Sequence, residues 1–144
     1  MQTTDSYSKA IILGATGGIG RHLATELAKH LDFLVLVGQN PDKLSQLQKE
    51  LAGSKAQLSI KVLNLCDKEA LENFGKVLDA DLLVNCAGLA TFSIGSDLAT
   101  EKEQELWQVN YHAPVQLMKL LVQKKRKIRL EEYQAPNKNN FLLR

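Results

Sequence analysis

Four glycines crowd into Gly14-Ala-Thr-Gly-Gly-Ile-Gly20, and what flanks them leaves few ways to fold. Before them runs the apolar segment Lys9-Ala-Ile-Ile-Leu13; after them Leu23, Leu27, Ala28 and Leu31 recur at helical spacing. The order is strand, tight turn, helix. Glycine admits a positive φ, lets main-chain N–H groups approach a bound group closely, and lets the helix pack against the strand. A helix N-terminus also presents unpaired N–H groups to an anion. The dipole contributes only about 0.3–1 kcal/mol, so hydrogen bonds from residues 18–20 would carry most of the affinity. A site for the pyrophosphate of a dinucleotide is favoured over a purely structural turn, because the strand and helix stand where such a site needs them.

The same alternation continues along the chain. Phe33-Leu-Val-Leu-Val37 is a continuous apolar run, as a strand buried on both faces requires, and Pro41 with Leu44, Leu47 and Leu51 describes a helix with proline in its first turn. Leu58 to Leu63 alternates, as a strand near a sheet edge does; Asp67 can N-cap a short helix carrying Ala70, Leu71 and Phe74. Asp81-Leu-Leu-Val-Asn85 supplies another strand. Four strands alternating with helices predict an α/β fold, a doubly wound, Rossmann-like parallel sheet of about four strands with flanking helices. A long helix is expected from about Thr100 to Lys127, with two apolar stripes: Val109, Ala113, Leu117, Leu120 and Leu121, and opposite them Tyr111, Val115, Met118 and Val122. One stripe is enough to dock a helix on a sheet, so the second asks for another surface.

Composition excludes several classes. With 144 residues, 44% apolar and 24% charged, the chain can bury a core, so disorder, collagen and low-complexity readings fall away. No apolar run approaches the length of a membrane span and the polar start has no signal-peptide core, so no membrane association and a cytoplasmic location are expected. Cys66 and Cys86 have no partner at metal-ligand spacing; reduced structural thiols and no metal site are expected. His22, His30 and His112 read as surface or structural residues, and Trp107 as a packing residue.

Net charge is uneven. Residues 1–114 carry 10 basic and 14 acidic side chains, a net of −4, whereas residues 115–144 carry 8 and 2, a net of +6; all nine glycines lie at or before Gly95. Lys124-Lys-Arg-Lys-Ile-Arg129 could meet nucleic-acid phosphates, but no aromatic is interleaved and Glu131 and Glu132 follow, so a solvated basic helix end is favoured.

Three motifs in order resemble those of the short-chain dehydrogenase/reductase family. Gly14, Gly18 and Gly20 match its TGxxxGxG turn with Leu13 in place of the usual Thr, while Gly14, Gly17 and Gly20 also satisfy the GxxGxxG spacing of the family's extended branch. Asn85-Cys-Ala-Gly88 resembles NNAG, with Cys86 replacing the second Asn, and Leu106-Trp-Gln-Val-Asn110 resembles the segment that opens the long fifth helix. The resemblance covers about residues 8–122. It implies a cofactor site made of Gly14, Thr16, Gly17, Gly18, Ile19 and Gly20 in the turn, Gln39 at the end of the second strand, Asn64 and Leu65 beside the adenine, and Asn85, Ala87 and Gly88 after the fourth strand. Gly38-Gln39-Asn40 offers no carboxylate to exclude a 2′-phosphate, which favours NADP over NAD.

The family transfers hydride between NAD(P)(H) and a carbonyl or alcohol, with a Tyr whose pKa is lowered by a Lys four residues on, a Ser, and an Asn that holds a proton-relay water. Asn110 matches that Asn and is the one catalytic candidate. Residues four beyond Tyr7, Tyr111 and Tyr133 are Ile11, Val115 and Asn137, and no Ser or Thr follows Thr100. The chain is therefore expected to comprise an NAD(P)-binding unit over 1–122 and an atypical basic tail over 123–144, by truncation, frame change or an alternative C-terminus, and to be catalytically incomplete alone. A nucleotide-sensing or interaction module, or a non-functional truncation product, are the competing readings. Partners expected are the dinucleotide and either a second copy or a full-length relative docking on residues 109–122, unless the tail folds back over that stripe through Ile128, Leu130, Phe141 and Leu142.

Overall fold

The computed structural model describes residues 7–92 and 97–134, with side chains to residue 127. Strands β1 (Lys9–Leu13), β2 (Phe33–Gly38), β3 (Gln57–Val62) and β4 (Leu82–Asn85) form one parallel sheet in the order β3-β2-β1-β4. Ile11 stands between Val35 and Leu83. Side chains alternate across each strand and fill two cores. Ala10, Ile12, Leu34 and Leu36 pack with Ala24 of helix α1 (Gly18–Leu27), with Ala28 that follows it, and with Leu44 and Leu47 of α2 (Pro41–Glu50). On the other face Ile11, Leu13 and Val37 meet Leu71 and Phe74 of α3 (Lys68–Val77) and Leu117 and Leu121 of the last helix. Helices thus cover both faces, the doubly wound arrangement that the alternating pattern predicts. β3 lies at an edge, consistent with its alternating burial.

The helix starts follow side-chain chemistry. Asn40 caps α2 by accepting from the Lys43 N–H at 2.9 Å, with Pro41 as first helical residue, and Asp67 caps α3 by accepting from the Ala70 N–H at 3.0 Å. α1 differs: its N-cap is Gly17, which offers no side-chain cap, and no acidic residue lies in its first turn.

The expected single helix from 100 to 127 is interrupted and longer. α4 (Thr100–Trp107) leads through a π-helical turn at Gln108–His112 into α5 (Ala113–Gln134). Val109, Ala113, Leu117 and Leu121 are buried at steps of four residues, and each such step in an α-helix drifts by about 40°. The wider π turn counters the drift and keeps Val109 in the core. Periodicity read in fixed steps cannot reveal such a turn.

The basic run also differs from expectation. It lies inside α5, which continues to Gln134 across the 122/123 division, so its lysines do not end their own helix. Lys124 Nζ donates to the carbonyls of Lys76 (2.6 Å) and Leu78 (2.9 Å), meeting the last turn of α3 instead, and Lys125 pairs with Asp81 at 3.2 Å. The side chains of Ile128 and Leu130, and all of Phe141 and Leu142, lie outside the described residues.

Candidate functional site

Winding reverses between β1 and β4, so the turns that leave these neighbouring strands diverge and open a crevice at their C-terminal ends. Gly14 makes the first turn at φ +72°, where a Cβ would stand 2.6 Å from the Ala87 nitrogen. A Cβ on Gly20 would overlap the Gly14 carbonyl oxygen. The fold itself requires these two glycines. Gly17 and Gly18 are different: a Cβ on Gly17 would make ordinary contact with Gly14 O, and one on Gly18 would meet nothing within 4 Å. It would project into open space at the uncapped start of α1, where three or four N–H groups have no intrahelical partner.

A cavity of about 230 Å³ opens beside this turn. Gly14, Thr16, Gly17, Gln39, Leu65, Ala87 and Gly88 line it together, as do Gly38, Cys86 and Val109, which motif reading did not assign to the site. Gly38, ending an apolar strand run, was the available sequence signal for one of them. Gly18, Ile19, Gly20, Asn64, Asn85 and Asn110 are not in its lining: Gly20 is buried in the turn, Ile19 is 74% exposed, and Asn64 faces an adjoining groove. That groove, about 850 Å³, is shared by Gln39, Asn64, Cys66, Lys68, Gln104, Trp107, Gln108 and His112.

The polar side chains around the crevice hold its loops. Asn64 Oδ1 accepts from the Cys66 N–H (2.9 Å) and from Gln39 Nε2 (3.2 Å), tying the ends of β2 and β3 together. Asn85 Oδ1 accepts from the Ala87 N–H at 3.2 Å. Asn110, in the π turn, grips Leu89 from both sides: its Oδ1 accepts from the Leu89 N–H at 2.8 Å and its Nδ2 donates to the Leu89 carbonyl at 2.9 Å. Gln108 Nε2 donates to the Leu65 carbonyl at 3.0 Å. The π turn therefore fastens two of the loops that shape the cavity.

Cys86 is the one ionisable side chain in the cavity lining, and burial pushes its thiol pKa up. Cys66 is raised too, by burial and then by Glu105. Both are free and only partly buried. Trp107 is not a core residue: it is 56% exposed and stands edge-on to Tyr111 with ring centroids 6.1 Å apart. His22, His30 and His112 are exposed. Among the described residues no group of three His, Cys, Asp or Glu side chains could hold a metal, and no helix is long and apolar enough to cross a membrane.

Comparison with known proteins places these features in context. The short chain dehydrogenase family model matches residues 8–128. The chain is 33% identical over 124 residues to dehydrogenase/reductase SDR family member 7B of Mus musculus, covering 78% of this chain and 38% of that protein. It is 33% identical over 116 residues to the 3-ketodihydrosphingosine reductase of Bos taurus, covering 70% and 33%. The chain thus spans well under half the length of these curated relatives. Among solved structures, L-sorbose reductase from Gluconobacter frateurii complexed with NADPH and L-sorbose superposes with a TM-score of 0.76 at 27% identity, over 85% of this chain and 49% of that one. A metagenomic short-chain oxidoreductase in complex with NADP gives 0.72 at 26%, over 80% and 55%.

Proposed function

Because this chain belongs to the short-chain dehydrogenase family, we propose that its glycine turn and the crevice between β1 and β4 bind NAD(P), the pyrophosphate resting on N–H groups at the start of α1. The observation that carries this reading is the division among the glycines. Gly14 and Gly20 are demanded by the turn, whereas Gly18 has no steric reason within the protein to lack a Cβ and opens an uncapped helix. Thr16, Gly17 and Ile19 complete the turn around that anion. Gln39, Asn64 and Leu65 hold the adenosine half, and Ala87 and Gly88 wall the crevice opposite, on a loop that Asn85 holds through the Ala87 N–H.

When bound, the dinucleotide supplies a hydride donor or acceptor for a carbonyl or alcohol. The residues of this chain bind and orient it; Asn110 positions the Leu89 loop and is the single match to the family's catalytic set. The present 144 residues contain no Tyr with Lys four positions on, so we propose binding without turnover by this stretch alone. NADP is preferred: the end of β2 presents Gln39 rather than a carboxylate, and the sorbose reductase and the metagenomic oxidoreductase both hold the phosphorylated form. Residues 1–122 form the binding unit in this reading and 123–144 a basic extension. The second reading, a nucleotide-responsive interaction module, draws on the exposed stripe that runs from the π turn into α5, where Tyr111, Met118 and Val122 are 52%, 41% and 56% exposed.

Titration calorimetry with NADP, NAD and ADP tests the proposal. A site built from the crevice alone should bind with a dissociation constant of about 1 mM, roughly 4 kcal/mol. Gly18→Val should leave the circular dichroism spectrum unchanged and abolish binding. Equal affinity in the wild type and the variant removes the turn from the account.

A further inference from the structure

We propose that Lys68 is the cation that selects a 2′-phosphorylated adenosine at this site, an inference that rests on the dinucleotide reading above. The position after β2, where a phosphate-pairing arginine would stand, holds Gln39, which has no charge. Gln39 is also committed on one side. The Cys66 N–H fixes which way the Asn64 amide faces, and Asn64 Oδ1 then takes a hydrogen from Gln39 Nε2 at 3.2 Å. An amide so held can accept from or donate to a ribose hydroxyl, but it cannot neutralise a dianion.

Charge must come from elsewhere in the same groove. Lys68 is the one lysine or arginine among its lining residues, where it joins Gln39 and Asn64. It is exposed and makes no ion pair among the described residues. Other cations do not line this groove: Arg21 pairs with Glu50 and Lys102 with Glu105 at 2.6 Å, and neither Lys43 of α2 nor Lys61 of β3 is among the lining residues. The Asp67 carboxylate beside it is turned into the cap of α3, accepting from the Ala70 N–H. As first residue of α3, Lys68 also sits at the positive end of the helix dipole, which favours the same anion. Glu101 and Glu105 also line the groove, and Glu105 is paired with Lys102.

Calorimetry of the full 144-residue chain with adenosine 2′,5′-bisphosphate and with 5′-AMP reads this directly. The wild type should prefer the bisphosphate by roughly fivefold to tenfold, the range of a partly solvated charge-assisted contact. Lys68→Gln should reduce that preference to about twofold or less while leaving 5′-AMP binding unchanged, and Lys68→Arg should retain it. Binding of both ligands without preference in the wild type, or a preference that survives Lys68→Gln, overturns the role of Lys68 while the dinucleotide reading stands. Binding of neither ligand overturns both.

Discussion

Residues of one type do different work within seven positions. Gly20 packs its Cα against the Gly14 carbonyl, and the nearest atoms to a new Cβ are backbone that cannot rotate away. Gly20→Ala should therefore lower stability by about 1–3 kcal/mol in denaturant unfolding, the penalty of overpacking a rigid site. A Cβ on Gly18 meets no atom within 4 Å, so Gly18→Val should stay close to the wild type in the same assay, losing only its ligand. A Gly20→Ala protein as stable as the wild type would mean that the turn relaxes more easily than its close contacts allow. The sequence pattern marks all four glycines alike; only the positions of their neighbours divide them into those the turn requires and those free to face a ligand.

At the scale of elements, the start of β1 and the middle of α5 meet at one carboxylate. Asp81 accepts from the backbone N–H groups of Ser8 (3.1 Å) and Lys9 (3.0 Å) and from Lys125 Nζ (3.2 Å). The Lys9 N–H holds its pKa below the ordinary 3.8, with Ser8 and Lys125 adding to the effect against partial burial. A depressed carboxylate pKa contributes stability that is present above the unfolded value and is lost as pH falls through the folded one. Asp81→Asn should destabilise the protein at neutral pH and flatten the loss of stability below about pH 4. The midpoint of urea unfolding against pH checks this, and an unchanged acid limb would remove Asp81 from it; Asp32, lowered by Lys55 and Ser8, leaves some slope in either case. Close approach also joins α3 to α5, where a Cβ on Gly75 would stand 2.5 Å from a Leu120 methyl.

The molecule as a whole leaves unpartnered among the described residues the outer edges of β3 and β4 and the stripe of Trp107, Tyr111, Met118 and Val122. Burying such side chains is worth roughly 1.5–3 kcal/mol each, so the stripe is proposed to pair two copies of this chain or a copy with a longer relative. Sedimentation should show association that is lost in Val115→Glu/Met118→Lys. A wild type that stays monomeric at high concentration, with the variant merely less stable, would sink the pairing and favour cover by the C-terminal residues, whose arrangement lies outside the described part.

The four strands, their order along the chain and the helices between them were legible because each buries a face whose period is written in neighbouring residues: continuous apolar runs for β1 and β2, alternation for β3, Asp67 three residues before the Ala70 N–H it caps. The turn was legible because glycine is needed where backbone must approach backbone. Contacts between residues far apart leave no period. Asn110 gripping Leu89, Lys124 reaching the end of α3, the π turn that holds Val109 inside and Trp107 outside, and Lys68 entering the groove of Gln39 all depend on how separately legible elements are brought together. Local sequence sets the hydrogen-bonding and burial of each element; the packing of one element on another sets which side chains then face each other, and that belongs to the folded chain.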